Sequence, residues 1–365
     1  MATILAIEPY AATSHQVFLA GLQRHSKHRV EIDELPARKW KWRLRTSAFH
    51  FAPRVAESGS DLLLVSDFVN LAELRGLAAQ AGRCPPALLY FHENQLTYPL
   101  PDHQERDYDF TLDHLHSILA SEATFFNSEY HRRSFFDELG TIVRLFPDLD
   151  GRALARDAEE RAKVLPLGSD VAIDDRDFAP RPVPVVVWNH RWEHDKDPDA
   201  FLTALRHARS EGLPFRLRVL GPEFRDRPVA FDRLRAEFAD DLEAFGEVED
   251  RDAYLELLRG GDILVSTARH EFFGLSSLEA IRCGLLPVLP RDLAYPELLP
   301  EGARKHRAIL YPRARGAGPA LAEAIRIVQR GGIVDLRREI QAYSDRFSWE
   351  RLIERYDEEF SRYAK

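Results

Sequence analysis

Along most of the chain, short apolar runs alternate with stretches whose apolar positions recur every three or four residues. The runs predict strands buried on both faces, and the periodic stretches predict helices crossing between them, as in an α/β protein with parallel sheets. In the first half, TILAIE, DLLLVS, PALLYF and EATFFNS predict strands, while SHQVFLAGLQRH and TLDHLHSILAS predict amphipathic helices. The pattern then lapses into PLGSDVAIDDRDFAPRPVP, a turn-rich stretch that predicts a domain boundary. It restarts at VVVWN and continues through RLRVLG, DILVST and LLPVLP. Asp197 and Pro198 predict a helix start, with Asp as the N-cap and Pro at the first helical position. The tail WERLIERYDEEFSRYAK predicts a charged amphipathic helix.

These elements predict an N-terminal Rossmann-like domain over residues 1–178 and a second one over 179–347. A final helix, 348–365, is expected to cross back onto the first domain. Open sheets of this kind bind ligands beyond the carboxyl ends of their strands. A length of 365 residues agrees, being too great for one ordinary core. No apolar run approaches the roughly 20 residues of a membrane span. The N-terminal stretch MATILAIEPY lacks the basic region of a signal peptide, and two cysteines make no disulfide framework. Together these favour the cytoplasm. A net charge of −9 argues against a uniformly basic nucleic-acid binder and leaves room for a local patch.

Three stretches of the second half carry candidate chemistry. WNHRWEHDKD sets Arg191 and Lys196 just past a strand, where two cations can hold a diphosphate. The bland alternative is a solvated loop in which they pair with Glu193 and Asp195. RHEFFGLSSLEAIRCG places Glu271 before a Phe-Phe-Gly turn and Glu279 inside the helix that follows. Helix starts bind phosphate, so Phe273, Gly274, Leu275 and Ser276 become candidate donor contacts. A carboxylate can accept from both hydroxyls of a diol, which suits Glu271 to a sugar and Glu279 to a ribose. Ser276 with Glu279 also fits a capping box. In FGEVEDRDAYLELL, backbone groups near Val248 could meet a nucleobase, although turn chemistry alone would explain the glycine.

The first half holds the candidate acceptor groups. LPARKWKWRLRTSAFHF interleaves Arg38, Lys39, Lys41, Arg43 and Arg45 with Trp40 and Trp42. Cations can contact phosphates and exposed aromatics can stack on unpaired bases. Buried tryptophans with solvated cations are the competing explanation. His92, Glu93 and Asn94 directly follow a strand, and His15 lies in the loop EPYAATSHQ after the first one.

The blocks from residue 185 to 290 resemble retaining glycosyltransferases of family 4, in which two Rossmann-like domains face one another across a deep cleft (GT-B). LPARKWKWRLRTSA, LYFHENQLTYP with QERDYDF, FFNSEYHRRSFF, HRWEHDKDP and ARHEFFG narrow this further. They resemble the tRNA-queuosine α-mannosyltransferase family, whose animal members carry the label glycosyltransferase-like domain-containing protein. The resemblance implies transfer of mannose from GDP-mannose to queuosine in the anticodon loop of a tRNA for aspartate, with retention. It implies that Arg191 and Lys196 hold the donor diphosphate, that Glu271 holds the transferred sugar and Glu279 the ribose, and that His92 lies near that sugar. The leaving phosphate would help deprotonate the acceptor, so no metal and no cofactor are expected. Ala11 and Ala12 depart from the family 4 pattern, standing where a glycine pair is usual. The acceptor base is read as queuosine or a related deazaguanine. Two other readings stay open: the same fold with a lipid, glycan or small-metabolite acceptor, and a non-catalytic RNA-binding protein. A metal-dependent transferase would use Asp-x-Asp, which occurs at 148–150 and 195–197.

Overall fold

The computed structural model describes residues 1–99, 106–173, 175–223 and 228–364; Gln104 and Glu105 of the QERDYDF string lie outside them. The chain forms two compact units, Met1–Asp170 with Phe347–Lys365, and Val171–Arg346.

The first unit is built on β1 (Thr3–Ala11), β2 (Arg29–Pro36), β3 (Leu62–Ser66), β4 (Ala87–Phe91), β5 (Ala123–Phe126) and β6 (Ala162–Val164). All pair in parallel, in the order β2-β1-β3-β4-β5-β6. Every residue of β3, β4 and β5 is buried, which is why these strands are nearly continuous apolar runs, Ser66 and Thr124 apart. The edge strands β2 and β6 are partly open and carry charge, so no apolar run announces them.

The second unit is built on β7 (Val185–Asn189), β8 (Arg216–Leu220), β9 (Leu242–Gly246), β10 (Ile263–Val265), β11 (Leu286–Pro290) and β12 (Leu310–Tyr311). Its parallel order is β12-β11-β10-β7-β8-β9. The order reverses between β7 and β10, as it does between β1 and β3 in the first sheet. A reversal leaves a crevice at the strand ends, because the helices on either side of it run to opposite faces.

The last helix, Trp349–Tyr363, belongs to the first unit. Trp349 is fully buried, and its indole fills the space above two glycines: a Cβ on Gly21 or Gly168 would lie 2.1 or 2.3 Å from it. The Tyr356 hydroxyl donates to the Pro166 carbonyl at 2.9 Å, and Asp357 accepts from the Ser26 hydroxyl and the Lys27 N–H. Removing a buried tryptophan of this kind costs about 3–5 kcal/mol. The amphipathic tail is thus a structural part of the first unit.

Candidate active site

At the reversal of the second sheet, β7 delivers the loop that carries Arg191 and Lys196, and β10 delivers Glu271 and the helix Leu275–Arg282. Lys196 is buried, and its ammonium donates to the His270 carbonyl at 3.0 Å. It also pairs with Asp195 at 3.1 Å and with Glu271 at 3.3 Å. Burial alone would lower its pKa, but Glu271 and Asp195 together outweigh that and raise it. The amine therefore stays charged at neutral pH. The Thr267 hydroxyl, 2.9 Å from the carbonyls of both Lys196 and Asp197, ties the two loops together.

Arg191 is half-exposed and pairs with Glu193 at 3.1 Å, while its charge is still felt at Lys196. Both pairings of the solvated-loop alternative are present, yet Lys196 is not solvated. Asp197 takes the N-cap of the next helix at φ 49° and accepts from the Ala200 N–H at 3.1 Å.

The other oxygen of Glu271 accepts from the Gly274 N–H at 3.0 Å, so one carboxylate joins the lysine to the turn. Gly274 has φ 91°, a conformation that calls for glycine, and a Cβ there would also sit tightly, 3.3 Å from Leu298 Cδ1. Gly274 is also the N-cap of the Leu275–Arg282 helix. Having no side chain, it cannot cap the N–H groups of the first turn, which are an anion site by geometry and dipole. Phe273 itself is buried.

The capping-box reading of Ser276 and Glu279 is not what forms. The helix starts at Leu275, which puts Ser276 inside it, and the Ser276 hydroxyl meets His190 Nδ1 at 3.3 Å. Glu279 is held by Arg251 at 2.5 Å and by the Tyr254 hydroxyl at 3.3 Å. Asn189, at the end of β7, donates to the Tyr254 oxygen at 3.0 Å and to the Ser276 carbonyl at 2.8 Å. Burial, then the nearby Glu279, push the Tyr254 phenol well up, so it remains a neutral donor. Val248 is half-buried in the loop three residues ahead of Arg251. Arg251, Tyr254 and Asn189 escaped the sequence reading; the i, i+3 pair on the helix Arg251–Arg259 would have signalled the first two.

Neither Asp-x-Asp triplet offers a free carboxylate pair. Asp195 is bound to Lys196, Asp197 caps a helix and pairs with Arg269, and Asp150 caps the helix Gly151–Glu160.

The first sheet holds a different cluster at its own reversal. Glu8 in β1 is buried; one oxygen bonds His15 Nδ1 at 2.9 Å, and the other accepts from the Ser66 hydroxyl and the Tyr10 N–H. The His15 ring stacks on His92 with centroids 4.0 Å apart. His92, just past β4, is buried, and Asp67 accepts from its backbone N–H at 2.9 Å. Asn94 is fully buried, with its oxygen engaged by Thr97; Glu93 accepts from the Gln95 amide. Ala12 sits at φ −76°, ψ 162°, an ordinary extended conformation that does not require the glycine usual in family 4.

The basic-aromatic segment forms the helix Trp40–Glu57, entered through Lys39 at φ 51°. Trp40 packs on Phe110 at 5.1 Å, whereas Trp42 is 67% exposed. Buried tryptophans therefore do not account for Trp42. Arg38, Lys39, Lys41 and Arg45 are exposed, and Arg43 donates to the Pro36 carbonyl.

The chain is similar to known proteins along most of its length. Residues 3–169 match the model of the tRNA-queuosine α-mannosyltransferase N-terminal region, and 173–344 match that of group 1 glycosyl transferases. The tRNA-queuosine α-mannosyltransferase of Drosophila melanogaster is 34% identical over 310 residues, 82% of each chain. The chain belongs to the tRNA-queuosine α-mannosyltransferase family. A GDP-mannose:cellobiosyl-diphosphopolyprenol α-mannosyltransferase of Xanthomonas campestris is 24% identical over 56% of this chain and 53% of its own. Anabaena Alr3699/HepE in complex with UDP has the same fold: the TM-score is 0.71 at 14% identity, covering 99% of this chain and 100% of that one. This member of the tRNA-queuosine α-mannosyltransferase family is a retaining glycosyltransferase of GT-B-like architecture that uses a nucleotide-sugar donor. Among the described residues, no helix is long and apolar enough to cross a membrane.

Proposed function

We propose that this enzyme transfers mannose from GDP-mannose, with retention, to queuosine in the anticodon loop of a tRNA, acting in the cytoplasm. The observation that carries the donor half is the Lys196–Glu271–Gly274 connection, which sets a buried cation, a carboxylate and an uncapped helix start at one strand reversal. In this reading Lys196 and Arg191 take the diphosphate together with the Leu275 and Ser276 N–H groups. That neutralises the charge growing on the leaving phosphate. Glu271 holds the transferred sugar. Glu279, fixed by Arg251 and Tyr254, takes the ribose. Val248 and Phe273 contribute backbone groups. No metal is needed for the leaving group, since the two cations supply the charge.

On the acceptor side, His92 is assigned to the transferred sugar, with His15, Glu93 and Asn94 as its companions in the first unit. The exposed Trp42 and the cations Arg38, Lys39, Lys41, Arg43 and Arg45 grip the RNA, aided by Trp40. The family relationship and the exposed basic-aromatic helix support tRNA over a lipid or glycan acceptor. The decisive experiment incubates the protein with GDP-mannose and queuosine-containing tRNA, then weighs the nucleosides by mass spectrometry. The expected product is queuosine heavier by one hexose. An unmodified nucleoside under conditions where GDP-mannose binds would reject this acceptor.

A further inference from the structure

Glu8 has no role in donor or acceptor binding as described, yet it is among the most buried charged side chains of its unit, at 1% exposure. One of its oxygens accepts from the Ser66 hydroxyl and the Tyr10 N–H, and the other is given to His15. Through His15 Nδ1 it meets a ring that lies face to face on His92, with an interplanar angle of 19°. Stacked at that distance, the two imidazoles cannot both carry a proton's charge without strong repulsion. The Glu8 carboxylate decides which one does, because a buried carboxylate within hydrogen-bond reach favours the charged form of its own partner.

We propose that Glu8 and His15 form a buried ion pair that holds His92 as an uncharged ring, so that both act as positioning residues for the transfer. This rests on the reading of His92 as the histidine beside the transferred sugar.

The surroundings of His92 favour the same state. His92 Nδ1 is buried with no hydrogen-bond partner among the described residues, so a second ring proton there would be a donor without an acceptor. Tyr90 faces the ring at 4.8 Å as a neutral phenol bonded to the Leu165 carbonyl, and Phe18 meets it edge-on at 4.9 Å. Asp67 contacts only its backbone N–H, and Glu93 is its chain neighbour. His131, on the helix Glu129–Ile142, adds to the repulsion. Burial first, then His15 and His131, hold the His92 pKa well below the usual value; for His15, burial is overcome by Glu8 first, with Asp67 and Glu93 adding to it, and its pKa is raised. A neutral ring keeps one nitrogen as acceptor and one as donor, which a sugar hydroxyl can use in both senses; an imidazolium offers no acceptor.

The test uses the full chain labelled with 13C at histidine, with the His92 resonance assigned by its loss in His92→Asn. His92 is titrated in the wild type, Glu8→Gln and His15→Asn, with circular dichroism confirming that each folds. Both variants should raise the His92 pKa by about one unit or more. The acid limb of mannosyl transfer should move up in pH by the same amount, and Glu8→Asp should restore both. A His92 titration unchanged in two folded variants would overturn the proposal, as would a transfer rate lowered equally at every pH. Because the titration needs no substrate, it stands even if queuosine proves to be the wrong acceptor.

Discussion

The two sheets reverse at similar places in their topology and carry different electrostatics there. At the β7/β10 reversal, Lys196 lies between Asp195 and Glu271, and Arg251 lies against Glu279, so each cation has a carboxylate partner. At the β1/β3 reversal the buried groups are two stacked imidazoles beside Glu8, with Asp67 pushed well up by burial and then by Glu93. The first arrangement suits a ligand that arrives with fixed charge, such as a diphosphate. The second suits neutral hydroxyl chemistry, in which protons must be given and taken. One topology therefore supports two tasks, and the side chains at the strand ends decide which.

The sharpest way to break this comparison is to remove the donor-side cation. Lys196→Ala should lower the transfer rate by about a thousandfold, as for loss of a buried group that stabilises developing charge. It also leaves Asp195 and Glu271 without their counterion, a loss of about 3–5 kcal/mol for a broken buried pair. Single-turnover kinetics and thermal melting separate the two effects. A variant that keeps near-wild-type rates would remove Lys196 from the reaction.

Glu279→Ala should weaken GDP binding by about tenfold to a hundredfold, the scale of a hydrogen bond to a charged group. Calorimetry with GDP checks it. The structure already excludes a mere capping role, so unchanged affinity would mean that Glu279 serves only to anchor Arg251.

Trp42→Ala tests the first unit alone. It should cost tRNA affinity about 1–3 kcal/mol, as for loss of one stacked base, and leave GDP binding untouched. Filter binding at several salt concentrations reads it. Arg38→Ala should instead flatten the salt dependence, since each lost phosphate contact releases fewer counterions.

The smallest expected effect concerns stability. His190 and His270 sit beside the donor cations with their pKa values lowered to about 3 and about 4, burial being the larger cause and Lys196 the next. Rings with depressed values take up protons first in the unfolded chain. The stability from keeping them neutral is therefore complete above their unfolded pKa of roughly 6.5 and is lost as pH falls from there toward 4. His270→Asn should recover about 1–2 kcal/mol of the loss between pH 7 and pH 5. Denaturant titration at the two pH values measures it, and an unchanged difference would place the acid sensitivity elsewhere.

The chain pattern alone determined the elements buried on both faces. β3, β4, β5 and β7 have no exposed position, so their sequences had to be largely apolar, with the buried Ser66, Thr124 and Asn189 as the polar exceptions. Asp197-Pro198 likewise announced its helix, because an N-cap and a first-turn proline act within a few residues of themselves. The spacing of Glu271 and Glu279 around a glycine turn was legible for the same local reason. Strands β2, β6 and β9 were not, because partly open strands tolerate charge. Only the tertiary structure gave Glu279 to Arg251 and Tyr254 instead of to its own helix start, and only it stacked His15 on His92 beside Glu8. Those partners are separated along the chain by 28, 25 and 77 residues, and nothing in a local pattern records which distant side chain a buried charge will meet.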